Sequence, residues 1–166
     1  MKLHTPIEYL HAIELPTPFP VGPVTVYLGS APGEPLTLID TGPRTDQTQA
    51  ALEAALSRLG YTIADLDRIV VTHAHVDHFG LLADLVGASG AEVLTHPWNV
   101  REFADYTAER DRRTAFYASV LRGAGVPGEV MRTLGQMTQG IGHFARPVAV
   151  DGTLDEGDRL RLAGRD

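Results

Sequence analysis

Cysteine is missing from all 166 residues of this chain. Its absence removes disulfides, thiolate metal sites and cysteine nucleophiles together, and leaves histidine and carboxylates as the side chains able to hold a metal. Long apolar runs are missing too. The opening Met1-Lys2-Leu3-His4-Thr5-Pro6-Ile7-Glu8 has no signal-peptide core, and nothing later approaches the roughly 20 apolar residues of a membrane span. The expectation is a cytoplasmic protein with no membrane partner. A basic stripe is also absent: the net charge is −7 and Arg is interspersed with Asp and Glu, which disfavours nucleic acid as a partner. There is no internal repeat and no low-complexity segment. What remains is the length of one domain, able to bury roughly 70% of the surface its unfolded chain exposes.

Val24–Leu28 and Leu36–Ile39 are short and rich in β-formers, and the turn residues Gly29-Ser30-Ala31-Pro32-Gly33 between them predict a strand pair. Thr45 or Asp46 can cap a helix that places Leu52, Leu56 and Leu59 on one face and ends at Gly60. Arg68–Thr72 reads as a buried strand, Phe79–Val86 as a helix ending near Gly87, and Ala91–Thr95 as another strand, so the middle of the chain is a β-α-β unit. From Trp98 to about Gln139 the pattern turns polar, Arg-rich and helical, broken at Gly123–Gly128. Strands are expected to resume at Pro147–Val150 and Arg159–Leu162, around the turn-rich Asp151–Asp158.

Chemistry concentrates in His73-Ala74-His75-Val76-Asp77-His78, at the strand-to-helix crossing. With 7 His and 12 Asp in the chain, such a cluster arises by chance in roughly one sequence in a thousand. His73 and His75, two apart in an extended segment, project to the same side, and Asp77 and His78 at the start of the next helix can turn toward the same point. Imidazole and carboxylate donors together suit zinc, iron or manganese. For any one of these residues a capping or surface role would be the simpler reading; for the set it is not.

Leu38-Ile39-Asp40-Thr41-Gly42, followed by Val70-Val71-Thr72-His73-Ala74-His75-Val76-Asp77-His78-Phe79-Gly80, resembles the metallo-β-lactamase superfamily. The resemblance implies an α/β fold, the αββα sandwich, of which this chain carries the N-terminal βα half plus a helical insertion over about residues 97–145. It implies that His73 and His75 bind a first metal and Asp77 and His78 a second, with zinc as one or two ions. Asp40 becomes a residue behind the ligands that orients their loop; stabilising the Thr41-Gly42 turn is an equally compatible role. The reaction implied is metal-dependent hydrolysis of an ester, thioester, lactone or phosphoester in a small-molecule substrate. Metal-bound hydroxide is the nucleophile, and Asp77 takes part in catalysis as hydrogen-bond acceptor or proton carrier.

The chain also departs from that family. A complete site needs a further His after the Gly-Asp turn, a bridging Asp and a final His, and none has a home here. His96 and His143 both precede that turn and read as loop or core-edge residues. The expectation is one domain over residues 1–166, incomplete at its C-terminal end, weakly active alone and completed by a missing half or by an oligomer partner. Within the insertion, Trp98, Phe103, Tyr106, Phe116, Tyr117 and Phe144 could line a pocket, although most read as packing. Arg110, Arg112 and Arg113 read as a solvated helix face paired with Glu109 and Asp111. A β-lactam target is disfavoured by the lack of an export signal. Two other classes stay open: a persulfide dioxygenase with one iron, which shares the motif, and a half-domain that binds without catalysis.

Overall fold

Exposure alternates along Val24–Leu28, the period-two signature of a strand with one face against a core. In the computed structural model, which describes residues 2–165 apart from the side chains of residues 137–139, this is the third strand of one sheet. The strands are β1 (Leu3–Ile7), β2 (Leu10–Leu15), β3 (Val24–Gly29), β4 (Thr37–Ile39), β5 (Arg68–Val71), β6 (Glu92–Thr95) and β7 (Gly152–Thr153), and they lie side by side in chain order. The first four are antiparallel neighbours, and β4 to β7 run parallel. Helix α1 (Asp46–Arg58) carries the chain from β4 to β5, and α2 (Val76–Phe79) with α3 (Leu82–Ser89) carries it from β5 to β6.

Register aligns Leu28, Leu38, Ile69 and Val93 in one row across four strands, and all four are inaccessible. Leu52, Ala55 and Leu56 of α1 and Leu85 of α3 belong to the same buried cluster. Each large aliphatic side chain so buried contributes about 1.5–3 kcal/mol, so this layer dominates the stability of the fold. The neighbouring row, Tyr27, Ile39 and Val70, points to the other face and keeps partial exposure. Helix α1 starts where a cap was expected, with Thr45 Oγ1 accepting from Thr48 N at 3.0 Å, and Gly60 beyond its end takes a φ of 86°.

Several expectations are corrected. The hairpin of β1 and β2 was not foreseen; Pro6, Glu8, His11 and Glu14 interrupt its apolar pattern, and Tyr9 makes its turn at a φ of 62°. The single helix over Phe79–Val86 is instead two. α2 begins three residues earlier and yields to a turn at Gly80, where Leu81 N donates to Gly42 O, and α3 runs on to Gly90, whose φ of 71° closes it in place of Gly87. Pro147–Val150 forms no strand: Val148 N donates to Phe103 O, and sheet pairing begins only at Gly152. Arg159–Leu162 is not a strand either, and contributes a single bridge between Leu162 and Arg165.

The polar stretch after β6 is helical, with α4 (Val100–Ala104), α5 (Tyr106–Gly123) and α6 (Gly128–Ile141). Two aromatic side chains tie it to the core. Phe103 stacks on Phe79 with ring centroids 4.8 Å apart, and Tyr106 meets the same ring edge-on at 5.2 Å. Among the described residues no helix is long and apolar enough to cross a membrane.

Candidate active site

Parallel strands that end together leave a crevice at their carboxyl ends, where the loops to the following helices diverge. Here Asp40 follows β4, Thr72 and His73 follow β5, and Thr95 ends β6. The chain bends at Ala74, and His75 is the residue before α2, so Asp77 and His78 fall in that helix's first turn and a half.

The three histidines of the motif come together. His73 Nε2 lies 3.1 Å from His75 Nδ1, and the His73 and His78 rings are 4.1 Å apart at their centroids. Asp77 is beside them, with Oδ2 3.7 Å from His78 Nε2. His75 is exposed on the side of the cavity described below, while His73, Asp77 and His78 are more enclosed, so the cluster opens to solvent on one side. Burial, reinforced by the neighbouring His78 and His75, lowers the pKa of His73 below the usual imidazole value, against the pull of Asp40 and Asp77. His73 is therefore neutral at pH 7, the state in which imidazole can donate a lone pair.

Asp40 sits beneath the cluster, 5% exposed. Its carboxylate accepts from His78 Nδ1 at 2.8 Å, from Thr72 N at 2.9 Å and from the Thr72 hydroxyl at 2.9 Å. A carboxylate can only accept, so the Thr72 proton is directed to it, and Thr72 Oγ1 in turn accepts from His73 Nδ1 at 3.0 Å. One carboxylate thereby sets two tautomers: His73 and His78 both carry their proton on Nδ1, and the unprotonated Nε2 of His73 is the one that meets His75 Nδ1. Asp40 holds a φ of 60°, a left-handed conformation that Asp tolerates and β-branched residues do not. None of these carboxylate bonds goes to the Thr41-Gly42 turn, which is held by Thr41 N and Oγ1 donating to His78 O.

The donor set fits a metal ion. Two nitrogens on tetrahedral zinc at about 2.0–2.1 Å stand about 3.3 Å apart, close to the His73–His75 separation. Among the described residues, however, no group of three or more His, Asp or Glu side chains is placed so that it could hold a metal ion. Thr72 is the member of this network that reading the sequence missed; the available signal was a hydroxyl placed directly between an apolar strand and the first histidine. His96 and His143 stand apart from the cluster. His96 Nδ1 accepts from Trp98 N and its Nε2 faces Asp155 at 3.4 Å, while His143 lies in the turn after α6.

His75 and Asp77 also form one wall of a cavity of about 540 Å³ whose other walls are α5, α6 and the loop after β2. The insertion thus lies over the cluster, on the side where His75 is open. Of its aromatic residues, Tyr106 and Tyr117 reach the cavity; Trp98 is 87% exposed, Phe103 is core, and Phe144 packs edge-on against Phe19. The arginines differ from expectation in two partners: Arg110 pairs with Asp111 and Arg112 with Glu109 as expected, but Arg112 also pairs with Asp105, and Arg113 with Glu102.

The sequence profile of the Metallo-beta-lactamase superfamily matches residues 19–159, a span that contains Asp40, the histidine cluster and the insertion. The chain belongs to the metallo-beta-lactamase superfamily. It is 40% identical over 120 residues to the Probable metallo-hydrolase YqjP of Bacillus subtilis (strain 168), an alignment that covers 72% of this chain and 36% of that protein. Among solved structures it is similar to a metallo-beta-lactamase family protein from Thermus thermophilus, with a TM-score of 0.72 at 28% identity over 94% of this chain and 49% of the other. It is also similar in fold to BJP-1, a subclass B3 metallo-beta-lactamase of Bradyrhizobium japonicum, with a TM-score of 0.64 at 21% identity over 98% and 48%. The chain spans about a third of the curated relative and about half of these two structures. Its sheet, with helices on the fully buried face, is the N-terminal βα half of the metallo-β-lactamase αββα sandwich.

Proposed function

We propose that the protein is a metal-dependent hydrolase of a small-molecule ester, thioester, lactone or phosphoester. The observation that carries this reading is the Asp40–Thr72 network, which leaves Nε2 of both His73 and His78 unprotonated, next to a cavity walled by His75 and Asp77. The similarity to a probable metallo-hydrolase supports it.

His73 and His75 would hold one ion, and Asp77 with His78 a second; zinc suits these donors, as do iron and manganese. A cation held there would lower the pKa of a bound water to about 7, the chemistry that supplies a nucleophile at neutral pH without serine or cysteine. The chain's own residues do the rest. Asp40 and Thr72 hold the two rings in the tautomer a ligand needs and keep them from rotating. Asp77 accepts a proton at Oδ2 and passes it toward the departing group. Walls from α5 and α6 limit the water that reaches the bond under attack.

In this reading the remaining ligands come from outside residues 1–166, from a further segment or a second chain, in keeping with the share of its relatives that this chain covers. The test is elemental analysis of the full-length protein together with assays on ester, thioester, lactone and phosphodiester panels. Bound zinc with turnover that vanishes in His73→Ala supports the proposal. One iron with oxygen uptake on persulfides would replace it with a dioxygenase, and neither metal nor turnover would leave a binding module.

A further inference from the structure

The cavity beside the motif has two kinds of wall. Ala118 and Leu121 from α5, Met131 and Leu134 from α6, and Phe19 and Val21 from the loop after β2 make most of it apolar. Along α5, Arg110, Arg113, Thr114 and Tyr117 also line it, at the i, i+3, i+4, i+7 spacing of one helix face. That face is therefore graded, cationic toward the start of the helix and apolar toward Leu121, about 16 Å further on at 1.5 Å per residue.

The two guanidiniums are not equivalent. Arg113 Nη1 donates to both oxygens of Glu102, at 2.8 and 3.0 Å, in a part-buried pair that neutralises it. Arg110 donates from Nε and Nη2 to Asp111 Oδ1, a carboxylate whose side chain is 64% exposed. Ion pairs of that kind, on the solvated side of a helix, hold weakly. Arg110 itself is three-quarters buried, and its Nη1 lies against Gly142, where any side chain would collide with it. Among the described residues Nη1 donates to no acceptor. Asp77 is the one carboxylate among the described lining residues, and it stands at the motif end. In a protein of net charge −7, this places a part-buried guanidinium in the wall of a largely apolar chamber that opens on the candidate catalytic cluster.

We infer that the substrate of the hydrolase proposed above, on which this inference rests, is an amphipathic anion: a carboxylate or phosphate held by Arg110, on an apolar body that lies between α5 and α6, with its labile bond toward His75 and Asp77. Arg110 supplies donors in a planar fork suited to either headgroup, and Gly142 keeps the space the fork occupies. The apolar walls supply affinity without chemical discrimination, so selectivity falls to the anion.

The test uses calorimetric titration of the full-length protein with decanoate, decyl phosphate and decanol, in wild type, Arg110→Gln, Arg112→Gln and Ala118→Trp, each checked for an unchanged melting profile. A charge-assisted bidentate contact predicts that at least one anion binds about 10-fold to 100-fold tighter than decanol to wild type. That preference should collapse in Arg110→Gln and persist in Arg112→Gln, whose side chain lies outside the cavity. Ala118→Trp should lose all three ligands by filling the chamber. Whichever anion is preferred assigns the headgroup. Equal affinity for decanol and both anions overturns the inference, and so does a preference that survives in Arg110→Gln. The hydrolase reading fails separately: anion preference without turnover on any ester or phosphoester would remove that reading alone, whereas turnover indifferent to charge would remove the inference alone.

Discussion

His78 donates through Nδ1 to Asp40 Oδ2 at 2.8 Å, across 38 positions of the chain, and so ties the first turn of α2 to the residue that follows β4. The bond does two things at once. It links the segments that follow two parallel strands, and it fixes Nδ1 of His78 as the protonated nitrogen, with Nε2 on the side of Asp77. Thr72 extends the same carboxylate's influence to His73, so one buried group orients two rings from different elements.

Asp40→Asn tests that arrangement with little change of shape, because Asn also tolerates a φ of 60°. The amide has one acceptor oxygen where the carboxylate has two, so it cannot serve His78, Thr72 N and the Thr72 hydroxyl together. Loss of such a partner typically costs about 10-fold to 100-fold in metal affinity. Zinc affinity measured by chelator competition, at a temperature where the variant is still folded, should fall by that amount, and the donor left unserved should lower the melting temperature as well; equal affinity would mean that Asp40 does not orient the rings.

Gly80 is the second test. A Cβ there would stand 2.6 Å from Arg44 N and 2.5 Å from Val76 O, and would run into Phe144 O, all backbone atoms that cannot swing aside. Gly80→Ala should destabilise the protein by about 1–3 kcal/mol, the usual cost of overpacking. It should also loosen the segment around Phe144 that closes the insertion onto the sheet. Urea titration reads the first effect, and an unchanged midpoint would contradict the contact.

The parts of the fold that were legible in sequence are those where local and tertiary forces agree. Val24–Leu28, Arg68–Val71 and Val93–Thr95 are rich in β-formers and largely buried, and Thr45 caps α1 by its own side chain. The His73–His78 cluster was legible because six adjacent residues carry it. What could not be read depends on partners remote in the chain. β1 and β2 gain their pairing from each other and from β3 despite mixed polarity, whereas Pro147–Val150 has the composition of a strand but spends its Val148 N–H on Phe103. The Arg113–Glu102 pair spans the break between α4 and α5, so helical spacing could not point Arg113 to its carboxylate, whereas it did find Asp111 for Arg110 and Glu109 for Arg112. Asp40's hydrogen bonds to His78 and Thr72 likewise join residues 38 and 32 positions apart.

His11 provides a pH-dependent test away from the site. Its ring bridges Thr5 Oγ1 and Ser30 Oγ, each at 3.0 Å, and burial lowers its pKa below the ordinary imidazole value of 6.5. The unfolded state therefore binds a proton more readily than the folded state. Stability from this residue is fully present above pH 6.5 and declines as pH falls from there through the lowered folded-state pKa. Denaturant midpoints between about pH 7.5 and about pH 5 should fall more steeply in wild type than in His11→Gln. Identical slopes would exclude His11 as a contributor.

Asp77 carries the most direct prediction about chemistry. It lies in the first turn of α2, lines the cavity, and holds Oδ2 3.7 Å from His78 Nε2, so one carboxylate faces both the cavity and the His78 ring. Asp77→Asn keeps its size while removing the charge and the ability to take up a proton. If the carboxylate moves a proton during the reaction, kcat should fall by about 10²-fold to 10⁴-fold while KM changes little, because most of the cavity wall comes from α5 and α6 and is untouched by the substitution. Weakened metal binding could lower turnover as well, so the assay is run across a zinc series with bound metal measured in parallel. A loss that persists when the site is saturated assigns the proton role to Asp77. Full recovery at saturating zinc would reduce it to a ligand, and wild-type turnover without added zinc would remove it from the site.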